Sequence, residues 1–105
     1  MSDEQTLNVL RKAEVADTQK ELANEVGLSV GKVNYILKEL VKKGLIKMEN
    51  FAGAKSKKKY RYLLTPKGIQ EKMTLTERFI RRKKHEYEEL QLELENYHKQ
   101  NFSGK

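Results

Sequence analysis

The stretch "QKELANEVGLSVGKVNYILKEL" (residues 19–40) decides how the chain reads. Ala23 is small where two helices would cross, and Gly27 falls between them, at a point where a left-handed backbone costs glycine little. Leu22, Val26, Leu28, Val33 and Ile36 put apolar side chains at the positions that would hold two such helices together. A lone glycine between helices says little. Several residue types agreeing at fixed offsets within one stretch predict a helix-turn-helix.

The flanks extend the pattern. Thr18 suits an N-cap with Glu21 at capping-box spacing, and the helix it opens stops at Gly27. The next helix starts near Ser29 and ends at Gly44, with Val33, Leu37, Leu40 and Val41 as its apolar stripe. Upstream, residues 3–14 read as a first helix, capped by Ser2 with Gln5 and apolar at Leu7 and Leu10. Downstream the period shortens to that of strands. In "LIKMENF" (45–51) Ile46 and Met48 share a side, and in "YRYLLT" (60–65) Tyr60, Tyr62 and Leu64 do. The small residues and lysines of "AGAKSKKK" (52–59) join them as a hairpin with a basic tip. "TPKG" (65–68) opens the last element, with Thr65 as cap and Pro66 at the first helical position. No breaker follows Gly68 until about Gln100, so this helix would be roughly 50 Å long. A helix of that length must project or pair with another chain.

Composition agrees with this layout. The chain has 105 residues, 37% hydrophobic and 35% charged, enough for one modest core plus a solvated extension. There is no Cys, which removes disulfides, thiolate metal sites and cysteine catalysis. No apolar run reaches the length of a membrane span and no signal-peptide pattern opens the chain, so a cytoplasmic protein is expected. The net charge of +7 is unevenly spread. Residues 1–52 carry eight basic and eight acidic side chains, whereas residues 53–68 carry six basic ones and no acid. Localised positive charge favours a polyanion such as DNA.

The segments "GKVNYILKELVKKGLIKMENF" and "YLLTPKGI", followed by a long charged helix, resemble MarR-type transcriptional regulators, and within them the small regulators associated with exopolysaccharide gene clusters. The likeness covers roughly residues 7–98. It implies a mainly α (α+β) winged-helix fold: a three-helix helix-turn-helix core, a two-stranded β-hairpin wing and a long C-terminal dimerisation helix. Residues 1–65 would form the DNA-binding domain and 66–105 the dimerisation helix. The resemblance further implies double-stranded DNA binding, a homodimer and control of exopolysaccharide genes. Against full-length MarR proteins, neither the extra N-terminal helix nor the second C-terminal helix that build their dimer domain and phenolic-ligand pocket is expected within residues 1–105, so the resemblance implies no particular small-molecule effector.

Roles follow residue by residue. The recognition helix, 29–43, would enter the major groove and present Ser29, Gly31, Lys32, Asn34, Tyr35 and Lys38 on the face opposite Val33, Leu37 and Val41. Asn34 suits adenine, Lys32 guanine, and Ser29 and Tyr35 phosphates or either base. On the wing, 52–61, Lys55, Lys57, Lys58, Lys59 and Arg61 would reach the backbone or the minor groove. Gly31 lies near the start of the recognition helix, where a missing side chain permits close approach of DNA.

The long helix carries a heptad seam: Met73, Ile80, Tyr87 and Leu94 at a, and Ile69, Thr76, Lys83, Leu90 and Tyr97 at d. The basic run Arg81–Lys84 precedes the acidic residues Glu86, Glu88 and Glu89. An antiparallel homodimer centred near His85 sets these blocks beside each other and faces Ile80 with Leu90, Thr76 with Leu94 and Met73 with Tyr97. Two other readings stay open: a DNA-architectural protein of weak sequence preference, and a winged helix used for protein–protein contact. Catalysis is not expected. His85 and His98 lie 13 residues apart on one helix, which is not a ligand spacing, and neither a nucleophile–base pair nor a phosphate-binding glycine loop is present. No cofactor or metal is expected.

Overall fold

The structure, a computed structural model, describes residues 2–50 and 60–102. Its elements run α1 (Asp3–Lys12), α2 (Gln19–Val26), α3 (Val30–Lys42), β1 (Ile46–Asn50), β2 (Tyr60–Leu64) and α4 (Pro66–Phe102). This is the order expected of a winged helix-turn-helix with a long terminal helix. The chain divides into two compact units, Met1–Leu75 and Thr76–Lys105. The first unit thus takes in the opening turns of α4, beyond residue 65.

Each short helix begins where its cap residue dictates. The Ser2 hydroxyl accepts from the Gln5 N–H at 3.1 Å while the Gln5 side chain accepts from the Ser2 N–H, a complete capping box. Thr18 accepts from the Glu21 N–H at 3.0 Å, but the reciprocal half differs from expectation. The Glu21 carboxylate reaches one residue further back and accepts from the Asp17 N–H. α2 ends at Gly27 with φ 71°, a left-handed C-cap that suits glycine.

The core of the first unit is built from Leu7, Val9 and Leu10 of α1, Leu22 and Ala23 of α2, and Val33, Ile36, Leu37 and Leu40 of α3. Leu45, Ile46 and Leu75 close it. Val26 and Leu28 of the expected crossing are half-buried. Val41 departs from expectation, at 39% exposed. Ile36 lies one turn before Leu40 and completes the buried arc with Val33 and Leu37, which leaves Val41 at its edge.

A tight joint links α3, the hairpin and α4. Gly44, at φ 75°, lets its own N–H and that of Leu45 donate back to the carbonyls of Val41 and Leu40. Thr65 then ties three elements. Its hydroxyl donates to the carbonyls of Gly44 at 2.6 Å and Leu45 at 3.1 Å, and accepts from the Gly68 N–H at 3.0 Å as the cap of α4. β1 pairs antiparallel with β2, with Ile46 opposite Leu64 and Met48 opposite Tyr62.

Within the second unit, every residue from Thr76 to Asn101 is exposed except the half-buried Phe79. Along it Lys83 pairs with Glu86 at 3.4 Å, and the His85 Nε2 lies 3.1 Å from the Glu89 carboxylate. Such exposed pairs add at most about 1 kcal/mol each.

Candidate nucleic-acid interface

α3 is held from behind and open in front. With Val33, Ile36, Leu37 and Leu40 turned into the core, Gly31, Tyr35, Lys38 and Lys42 form an exposed ridge at i, i+4, i+7 and i+11. A Cβ built on Gly31 would meet nothing within 4 Å, so bare backbone faces open space there. Ser29 is the N-cap, its hydroxyl oxygen accepting from the Lys32 N–H at 3.1 Å. Its hydroxyl hydrogen remains able to donate to an anion at the positive end of the helix. The Lys32 ammonium lies 5.5 Å from the Tyr35 ring centroid, a cation–π contact that steadies both side chains beside Gly31. Lys38 is exposed, and Lys42 is 4.0 Å from Glu39. Lys42 belongs to the ridge geometrically, one turn beyond Lys38.

Asn34 sits at the flank of this ridge. It is half-buried, and its amide Nδ2 donates to Gln19 Oε1 at 3.2 Å. Gln19, the first residue of α2, in turn donates from Nε2 to the Tyr62 hydroxyl at 3.2 Å. The three polar side chains therefore run from the recognition helix through α2 to the second strand of the hairpin. They line a cleft with Lys38, Val41 and Met48. Met48 is 51% exposed, so the apolar face of the hairpin is covered at Ile46 and open at Met48. Gln19 and Tyr62 are the residues that sequence reasoning missed as part of the site, because no local spacing connects positions 43 apart.

On the other face of the hairpin, Arg61 lies directly opposite Glu49 and pairs with it at 3.2 Å, while Lys47 lies 3.5 Å from the same carboxylate. The hydrogen bond from Arg61, reinforced by Lys47, holds the Glu49 carboxyl below the usual carboxylate range. Arg61 thus enters any DNA contact already engaged with a carboxylate. Lys55, Lys57, Lys58 and Lys59 lie outside the described residues.

The heptad residues of α4 are exposed in both units: Ile69 and Met73 in the first, and Thr76, Ile80, Lys83, Tyr87, Leu90, Leu94 and Tyr97 in the second. Lys83 lies 5.2 Å from the Phe79 ring centroid, which leans its stem along the helix. Among the described residues no group of three or more His, Cys, Asp or Glu side chains could hold a metal ion, and no helix is long and apolar enough to cross a membrane.

Comparison with known proteins agrees with this architecture. Residues 3–47 match the family described as "Winged helix-turn-helix DNA-binding", which covers α1 to the start of β1. No curated protein is similar enough in sequence to count as a match. Among solved structures, a variant of the Staphylococcus aureus transcription regulator MepR is 23% identical with a TM-score of 0.66, over 99% of this chain and 77% of that one. Another MepR variant, bound to an oligodeoxyribonucleotide, superposes with a TM-score of 0.60 at 22% identity, over 98% and 78% of the two chains. Sso10a-2, a DNA-binding protein from Sulfolobus solfataricus, is 21% identical with a TM-score of 0.66, over 90% of this chain and 95% of that one. A MarR family transcription regulator is 19% identical with a TM-score of 0.67, over 98% and 68%. The fold is a winged helix-turn-helix of the kind that MarR-family regulators have.

Proposed function

We propose that the chain is a dimeric, sequence-specific, double-stranded DNA-binding transcriptional regulator. The observation that carries this reading is the exposed ridge of α3, where open backbone at Gly31 is flanked by Ser29, Lys32, Tyr35 and Lys38. A helix that presents cations and hydrogen-bonding groups around a gap in its side-chain surface is suited to close approach by DNA in the major groove. The wing residues 52–61 would add phosphate or minor-groove contacts. The exposed heptad residues of α4 supply a dimer seam, most simply an antiparallel one.

Gly31→Leu tests the reading of the ridge. The added side chain meets nothing in the protein, and Gly31 does not have positive φ, so folding is preserved or slightly improved. Binding to a selected duplex should nevertheless fall by roughly tenfold or more, about 1.4 kcal/mol. Thermal melting and fluorescence-anisotropy titration of the same preparation separate the two effects. Unchanged DNA affinity with an intact fold would remove α3 from the interface. The starting duplex comes from selection on a random-sequence library. A protein that enriches no sequence, and whose binding is governed by salt alone, would instead be a DNA-architectural protein.

A further inference from the structure

Between α3 and the hairpin, apolar surface is left open beside the residues that would read DNA. From this we infer that Val41 and Met48 are specificity-determining residues: they pack against the C5-methyl group of a thymine in the major groove. The inference rests on the reading of α3 as a DNA-recognition helix, and it adds a base contact that the charged and polar side chains of that helix cannot make.

Exposed apolar side chains scattered singly need no explanation, but these two are paired. In the first unit the exposed Ile69 and Met73 belong to the heptad seam. Val41, 39% exposed, and Met48, 51% exposed, instead line one cleft of about 370 Å³ from two different elements. Buried Leu37 and half-buried Tyr62 extend its apolar lining, with Tyr62 directly opposite Met48 in the hairpin. On α3, Asn34 and Val41 stand at i and i+7 with Lys38 between them, and all three line the cleft. The cleft therefore shares Asn34 and Lys38 with the face that the regulator reading lays against DNA. A duplex that covers the one covers the other.

The chemistry of the groove names the occupant. Base edges there present hydrogen-bond donors and acceptors and one apolar group, the thymine methyl. A polar edge laid on Val41 and Met48 would lose water without gaining a partner. A methyl group gains from leaving water. 5-Methylcytosine carries the same methyl, and Lys38 separates the two bases. Its ammonium can only donate, so at the rim of the cleft it suits the O4 acceptor beside the thymine methyl. Cytosine places its N4 amine at that point, a donor facing a donor.

The test uses the full-length protein and the duplex obtained by selection. Each thymine is replaced in turn by deoxyuridine, which removes the methyl group and keeps the base pair. At one thymine of each half-site, wild-type affinity should fall by roughly fourfold, the factor for burying one methyl group. This contact releases no counterion, so the ratio should stay constant as salt is raised while both affinities fall. The Val41→Thr, Met48→Gln double variant keeps both side chains close to their original size and makes them polar. It should bind thymine and deoxyuridine alike at that position, with a melting temperature close to that of the wild type. In the wild type, thymine should also bind better there than 5-methylcytosine. The inference is overturned if no deoxyuridine weakens wild-type binding, the result expected when a small molecule or a protein rather than DNA fills the cleft. It is overturned equally if the double variant keeps the thymine preference. 5-Methylcytosine binding as well as thymine would overturn the choice of thymine. A wild type that enriches no sequence at all would instead bring down the regulator reading itself, and this contact with it.

Discussion

Gly68→Ala is expected to destabilise the protein by roughly 3 kcal/mol, a fall in melting temperature on the order of 10–20 °C for a domain of this size. Intrinsic propensity predicts the opposite sign, since alanine inside a helix is favoured over glycine by about 1 kcal/mol. Packing decides the matter. Gly68 is buried in the first turn of α4, and a Cβ there would fall on the carbonyl oxygen of Leu45 and within 2.9 Å of its carbonyl carbon. That carbonyl has little freedom to retreat, because it accepts from both the N–H and the hydroxyl of Thr65. The same threonine caps α4 through the Gly68 N–H. Moving the carbonyl would therefore disturb the turn after α3, the end of the hairpin and the start of α4 together. Thermal and denaturant unfolding followed by circular dichroism measure the effect. A Gly68→Ala protein as stable as wild type would mean that the two backbones do not cross this closely. Gly31→Ala is the matched control, since open space at that position lets the helix-propensity gain appear.

The contrast between these two glycines shows what could be read from the sequence. The helix-turn-helix was legible because its signals are local. Thr18 and Ser29 mark two helix starts, Gly27 marks the turn, and the apolar residues recur at helical spacing. Gly31 could be picked out because a glycine inside a basic amphipathic helix departs from that pattern. Gly68 could not be, because its reason is a backbone 23 residues earlier in the chain. The same holds for the hydrogen bonds that join Asn34 to Gln19 and Gln19 to Tyr62. Asn34 was identified from its place on α3, but its partners Gln19 and Tyr62 come from two other elements, and only the fold brings them together. The assignment of Val41 to the core failed for a related reason. A period fits several overlapping stripes, and which one is buried depends on the neighbours that cover it. The heptad period of α4 was legible, and its residues are exposed in the chain, but neither period nor exposure orients two copies of the proposed dimer.

Placing charges in that seam should produce the largest loss of function. With Ile80→Asp and Leu90→Asp together, the proposed antiparallel pair would bring carboxylates face to face at two symmetry-related places. Buried like charges at a and d positions are strongly unfavourable. Sedimentation equilibrium should then give a monomer at concentrations where the wild type is dimeric. Ile80 and Leu90 are exposed within the chain, at 59% and 64%, so the first unit should melt as before. DNA affinity for a site with two half-sites should fall by roughly a hundredfold or more, because the second recognition helix no longer binds at the effective concentration set by the first. Affinity for an isolated half-site should change little. That difference separates loss of dimerisation from damage to α3. Orientation can be read in a companion experiment, since the chain has no native cysteine. Under oxidising conditions Met73→Cys alone should remain uncrosslinked, and a mixture with Tyr97→Cys should yield a heterodisulfide dimer. A rapid homodisulfide at position 73 would reverse the assignment, because only a parallel pair brings residue 73 beside its own counterpart. Double-cysteine chains carrying both substitutions should then give two bridges per dimer in the antiparallel arrangement, each joining a first-unit residue of one protomer to a second-unit residue of its partner.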